Sequence, residues 1–198
     1  MVLPSVPYKS APAETLGHIQ AIAAAGGLPI MVYNNPVAYG VDVTLSMFDE
    51  LAKNDLVVAM KESTDDIRRV TDVVTRFGKR FDCFTGVDNL ALESLLMGAN
   101  GWVAGLVVAF PKETVAISKL VQAGRVEEAR DIYRWFRPLL DLDVSTNLVQ
   151  NIKLAEVLAI DSNDRVRAPR LPLSGAERQR VTAIIETALA VRPELPTL

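Results

Sequence analysis

The chain of 198 residues is 49% hydrophobic and 23% charged, with a formal net charge of −3, one cysteine and one histidine. A mean hydropathy of +0.20 excludes a disordered chain, and the absence of any Lys/Arg-rich run removes the electrostatic footprint for nucleic acid or an anionic membrane surface. Cys83 alone cannot close an internal disulfide or build a cysteine zinc cluster, and His18 alone leaves histidine metal sites and Ser-His triads without parts.

Short apolar runs alternate with longer amphipathic ones up to about residue 122, the pattern of strand-helix units around a parallel sheet. Five strands are predicted, at residues 2–4, 28–33, 56–61, 81–85 and 101–108. Four of them are nearly continuous in apolar letters, as expected when both faces of a sheet are covered. The intervening helices are predicted at residues 12–25, 45–53, 64–77, 89–97 and 113–122. In the third of these, Ile67, Val70, Val73, Val74 and Phe77 form one apolar stripe, and Gly78 stops the helix. After Gly124 only helical patterns remain, at residues 126–140, 148–160 and 175–191. The last is opened by Ser174 and Glu177, the spacing of a capping box. The reading is therefore a partial (β/α) barrel over residues 1–124, followed by a helical extension over residues 125–198. No apolar run nears the roughly 18 residues of a membrane span, and no signal-peptide pattern opens the chain, so a cytoplasmic location is expected.

In a parallel α/β barrel the chemistry gathers at the carboxyl ends of the strands. The second predicted strand ends in Tyr33-Asn34-Asn35-Pro36, and the third in Met60-Lys61-Glu62-Ser63. A lysine closing an apolar run is a candidate Schiff-base nucleophile, and a neighbouring phenol a candidate proton shuttle. Taken alone, the same two residues read first as a solvated lysine on apolar surface and a packing tyrosine. His18 reads as a solvated helix residue, Cys83 as a small buried hydrophobe, Trp135 and Phe136 as helix-packing residues, and Arg165, Arg167 and Arg170 as a solvated loop.

Together these motifs resemble the dihydrodipicolinate synthase / N-acetylneuraminate lyase family of Schiff-base (β/α)8 TIM barrels. Tyr33 matches the tyrosine of its Tyr-Asn-x-Pro strand end and Lys61 its Schiff-base lysine. Gly86-Val87-Asp88 matches its Gly-x-Asp turn, and Gly98-Ala99-Asn100-Gly101 the turn before its last strand. The resemblance implies covalent catalysis by Lys61 with Tyr33 as relay, without metal or organic cofactor, on a small 2-oxo or 2-imino acid. It further implies that Ser63, Gly86, Asp88 and Val103 line the substrate pocket, that Tyr8 corresponds to a tyrosine lent across a subunit interface, and that the protein forms a homo-oligomer, a dimer or tetramer.

Two departures bear on the activity. Ala38 stands where the synthases place a carboxylate-binding arginine, and Asn89 follows Asp88 where the neuraminate lyases have a glutamate for sugar hydroxyls. The segments at residues 33–42, 101–106, 132–140 and 166–173 are similar to the branch that deaminates Δ1-pyrroline-4-hydroxy-2-carboxylate to 2-oxoglutarate semialdehyde and ammonia in hydroxyproline degradation. The alternatives are a 2-keto-3-deoxy sugar acid aldolase or dehydratase, a dihydrodipicolinate synthase-like lyase, and a non-catalytic structural homologue. A closed eight-stranded barrel typically takes about 250 residues. The resemblance aligns this chain with the fourth through eighth barrel units, so it is expected to be the carboxyl-terminal part of the family protein, inactive or poorly active alone.

Overall fold

In the computed structural model, which describes residues 1–197, the chain forms two compact units, Met1–Val103 and the residues from Ala104 onward. The first unit holds one parallel sheet of four strands, β1 (Ile30–Asn34), β2 (Val57–Glu62), β3 (Asp82–Thr85) and β4 (Gly101–Trp102), in the order β1-β2-β3-β4. Its helices are α1 (Pro12–Gly26), α2 (Pro36–Tyr39), α3 (Leu45–Leu51), α4 (Arg68–Phe77) and α5 (Ala91–Leu96), the last entered through a 3-10 turn at Asp88–Leu90. The strand expected at residues 2–4 is reduced to a single parallel bridge from Val2 to Val32. Its two bonds, Val2 N–H to Met31 O (2.8 Å) and Val2 O from Tyr33 N–H (2.7 Å), dock it beside β1.

The core of this unit lies on one face of the sheet. Val32, Met60 and Cys83 from the strands cluster with Ile19 of α1, Met47, Phe48 and Leu51 of α3, and Val70 and Val73 of α4. Phe48, Phe77 and Phe81 meet edge to face within that layer, and of the predicted stripe Val70, Val73, Val74 and Phe77 pack there. Arg80 ties the layer to the sheet by donating to the carbonyls of Ala52, Asn54 and Val57 at 2.8–3.0 Å.

The opposite face is only half covered. Met31, Tyr33, Lys61 and Phe84 are partly exposed. Continuous apolar letters therefore overstate burial here, since the four strands leave that face open.

Three further boundaries differ from expectation, each for a local reason. α4 begins at Arg68 rather than residue 64, because Thr64 N–H is bonded to the Glu62 carboxylate and Asp66 Oδ1 accepts from Arg68 N–H, which holds the intervening residues in a turn. β4 stops at Trp102, and the last ladder bond runs from Val103 N–H to Thr85 O. Beyond it β3 offers no partner, and the apolar letters at 106–108 wind into a 3-10 turn. The capping box at Ser174 does not form: its side chain makes no cap bond, and Glu177 pairs with Arg180 at 2.7 Å instead.

The second unit is helical, with α6 (Pro111–Gln122), α7 (Val126–Leu140), α8 (Leu148–Ile160) and α9 (Gly175–Ala190). α7 packs against α6 and α9, and α9 also against α8. Trp135 stacks on Phe136 and Phe110 meets both rings edge to face, and Ile132 is buried, in line with the packing role read for that segment. Among the described residues no helix is long and apolar enough to cross a membrane.

Candidate functional site

Register places the candidate residues before any side-chain contact is considered. Tyr33 pairs with Lys61 across β1 and β2, and Lys61 with Phe84 across β2 and β3. Side chains alternate across a sheet, so Tyr33, Lys61 and Phe84 share the half-open face, while Asn34, Glu62 and Thr85 point to the buried helical side. The ladder continues past the strand ends through Ser63 N–H to Asn34 O and Gly86 N–H to Glu62 O, both 2.8 Å. Ser63 and Gly86, two residues beyond Lys61 and Phe84, therefore return to the same face as Lys61.

The contacts agree with this register. Lys61 Nζ lies 4.3 Å over the centroid of the Tyr33 ring. Gly86 is packed so closely against Ser63 Oγ and the Lys61 stem that a Cβ there would come within 2.9 Å of Lys61 Cγ and nearer still to Ser63 Oγ and Lys61 Cε. Ser63 Oγ is buried without a hydrogen-bond partner. A primary amine, a phenol and an unused hydroxyl thus converge at the carboxyl end of a parallel sheet. This donor and acceptor set suits a small polar carbonyl or imine compound.

The remaining expected residues are placed differently. Val103 sits beside the cluster's edge through its bond to Thr85. Asp88 is fully buried, and its Oδ1 accepts from Trp102 Nε1 at 2.9 Å. Trp102 pairs with Thr85 and so belongs to the face opposite Lys61. Tyr8 stands 55% exposed on the turn at residues 6–9. Cys83 is buried as expected, and burial pushes its thiol up to about 12. Among the described residues no group of three or more His, Cys, Asp and Glu side chains comes together to hold a metal ion.

Behind the strand ends lies a polar network that the pattern of letters did not reveal. Asn34 Nδ2 donates to Asp42 Oδ1 (2.9 Å) and to the buried Glu62 carboxylate (3.1 Å), while its Oδ1 accepts from Val43 N–H. Arg69 closes the network on Asp42 at 2.7 Å. Burial raises the Glu62 carboxyl above its ordinary range even though Asn34, Thr64 and Arg69 pull the other way. By bonding Asn34 to Glu62, the network holds the ends of β1 and β2 in the register that brings Tyr33 to Lys61.

On the open side Asn35 and Tyr39 support Tyr33. Asn35 caps α2, with its Oδ1 accepting from Ala38 N–H (2.9 Å) and its Nδ2 donating to the Tyr33 hydroxyl (3.1 Å). The Tyr39 ring meets Tyr33 edge-on at 5.6 Å, and burial, followed by the nearby Tyr33, holds the Tyr39 phenol above its ordinary value. The signal for Asn35 was present in the letters, since an Asn followed by Pro opens a helix and turns its amide back towards the chain.

Comparison with known proteins fits this geometry. The chain matches the model of the dihydrodipicolinate synthetase family over residues 2–188, and it belongs to that family. It is 29% identical over 185 residues to the 4-hydroxy-tetrahydrodipicolinate synthase of Geotalea daltonii, a match that covers 91% of this chain and 63% of the relative. It is 33% identical over 179 residues to the 4-hydroxy-tetrahydrodipicolinate synthase of Methanosarcina barkeri, covering 88% and 61%. The solved 4-hydroxy-tetrahydrodipicolinate synthase of Methylacidiphilum fumariolicum superposes with a TM-score of 0.81 at 29% identity, covering 92% and 62%. The chain thus spans less than two thirds of the length of these relatives, and the parallel α/β fold is that of their barrel family.

Proposed function

We propose that Lys61 forms a Schiff base with a small 2-oxo or 2-imino acid and that Tyr33 relays the protons. The observation that carries this reading is the Lys61 amine 4.3 Å over the Tyr33 ring, on the sheet face that also presents Ser63 Oγ. The amine adds to C2 of a 2-oxo acid and gives a carbinolamine. Its hydroxyl leaves as water with the phenol proton, which produces the iminium and a tyrosinate. The tyrosinate then takes a proton from C3, and the C–H electron pair neutralises the iminium to an enamine. No external base is needed, because the phenol is restored at each turn. Schiff-base formation needs only the amine and the phenol, so even where turnover is poor, borohydride reduction in the presence of pyruvate is expected to leave a stable adduct on Lys61, located by peptide mass. An intact chain that is never trapped favours the non-catalytic homologue.

For the substrate we propose deamination of 1-pyrroline-4-hydroxy-2-carboxylate. Lys61 would attack C2 and open the ring to free the nitrogen as an amine on C5. Loss of a C3 proton and of the C4 hydroxyl as water follows. The amine tautomerises to an imine, and two waters release ammonia from C5 and the 2-oxo group from Lys61. Ala38 favours this reading over the synthase reaction, because its methyl on α2 supplies no cation for a second substrate's carboxylate. The names of the relatives favour the synthase. Ammonia release from the pyrroline, set against condensation of pyruvate with an amino aldehyde and against pyruvate release from deoxy sugar acids, separates the three. Self-association into a dimer or tetramer belongs to the same proposal and is read by sedimentation.

A further inference from the structure

Asn35 occupies the unspecified position of the Tyr-Asn-x-Pro strand end, yet it is the residue that touches the Tyr33 oxygen. Its amide has only one chemically sensible orientation. The Ala38 N–H can be accepted only by Oδ1, so the group facing the Tyr33 hydroxyl is Nδ2, which can only donate. The Tyr33 oxygen is therefore an acceptor on that side, and its own hydrogen is directed away from Asn35.

We infer that Asn35 is a positioning residue for the proton relay: it aims the Tyr33 hydrogen away from itself and stabilises the oxygen when that hydrogen has been given up. The inference rests on the Schiff-base reading. In that sequence Tyr33 carries negative charge between loss of water from the carbinolamine and removal of the C3 proton. A donor already aimed at the oxygen on which charge appears needs no reorganisation at that moment. Three features hold the donor in place. Oδ1 is anchored on α2, Pro36 opens that short helix, and Tyr39 closes the ring's edge. The arrangement also separates two roles of one side chain, because the cap on Ala38 needs the oxygen and the relay needs the nitrogen.

That separation defines the experiment. Asn35→Asp keeps an acceptor for Ala38 N–H and replaces the donor with a second acceptor, which draws the phenol hydrogen to itself, whereas Asn35→Ala removes both contacts. Two quantities are measured on the whole chain with pyruvate as probe: the extent of borohydride trapping at Lys61 after long incubation, and the rate of C3 hydrogen exchange with D2O. Both variants are expected to keep the wild-type extent of trapping and to lose about 10-fold or more in exchange rate. Combining either with Tyr33→Phe should add nothing further, the mark of two residues acting as one unit. Wild-type exchange in Asn35→Asp with slow exchange in Asn35→Ala would reduce Asn35 to a helix cap and overturn the inference, while leaving the Schiff base standing. A wild-type chain never trapped at Lys61 would overturn the Schiff-base reading and this inference with it.

Discussion

The packing of Gly86 against Lys61 and Ser63 offers the most direct test of whether the strand ends form a built site. In Gly86→Ala the new methyl would lie 2.9 Å from Lys61 Cγ, against about 3.5 Å for carbon atoms in contact. The lysine stem must move by at least about 0.6 Å, and further at its end, because Cε and Ser63 Oγ lie nearer still. Gly86 does not occupy the left-handed region, so the penalty is steric rather than conformational. Lys61 is half-buried and flexible and can yield. Ser63 is buried with its backbone bonded to Asn34, so its hydroxyl can yield only by turning about χ1 within a packed site. Overpacking of this kind costs about 1–3 kcal/mol, and a nucleophile displaced by about 1 Å loses on the order of 100-fold in rate. The expected result is a modest fall in the urea midpoint with a much larger fall in the rate of borohydride trapping at Lys61. A Gly86→Ala chain that is trapped within a factor of two of the wild-type rate would show that the close approach has no bearing on the amine.

Three other expectations follow from the same structure. Arg192 Nε donates to Glu113 Oε1 at 2.6 Å, and Glu113 is only 2% exposed. Arg192→Ala should therefore cost about 3 kcal/mol in chemical denaturation by leaving a buried carboxylate without its cation, and adding Glu113→Gln should restore most of the loss; no restoration would mean that the arginine acts through packing alone. Burial raises the Glu62 carboxyl above 4.5, so its contribution to stability is full below that pH and declines as pH rises through the folded value. The stability of Glu62→Gln relative to wild type should thus increase as pH rises from 4.5 in urea titrations, and a difference that stays constant from below that pH upward would contradict the assigned direction. The Cys83 thiol, pushed from 9.0 up to about 12 by burial, should react with Ellman's reagent at pH 8 only at the rate of unfolding. Its effect on stability should appear as a decline from about pH 9 towards 12 that Cys83→Ala lacks; rapid stoichiometric labelling without denaturant would place the thiol at the surface.

The letters alone determined the order of the four strands and of the longer helices, though not α2 or the shrinking of the first run to a bridge, because hydrophobic period and glycine or proline stops are local properties that each segment carries by itself. They also placed Tyr33 and Lys61 at strand ends, since a polar residue closing an apolar run is visible without a partner. What they left open depended on neighbours distant in sequence. The run at 101–108 is equally apolar as strand or as helical turn, and it was the end of β3 that halted β4 at Trp102. Ser174 and Glu177 have the spacing of a capping box, but Arg180 competes for the glutamate. Asp88 and Ser63 are both short polar residues after a strand. The pairing register sends Ser63 towards Lys61, while the Asp88 carboxylate accepts from Trp102. Glu62, next to Lys61 in sequence, faces the opposite side and joins Asn34, Asp42 and Arg69 from three other segments. The amine and the phenol were thus legible one by one. Their meeting, and the amide of Asn35 that directs the phenol's hydrogen, were decided by tertiary structure, because hydrogen bonds between strands and across a turn have no signature within a single segment.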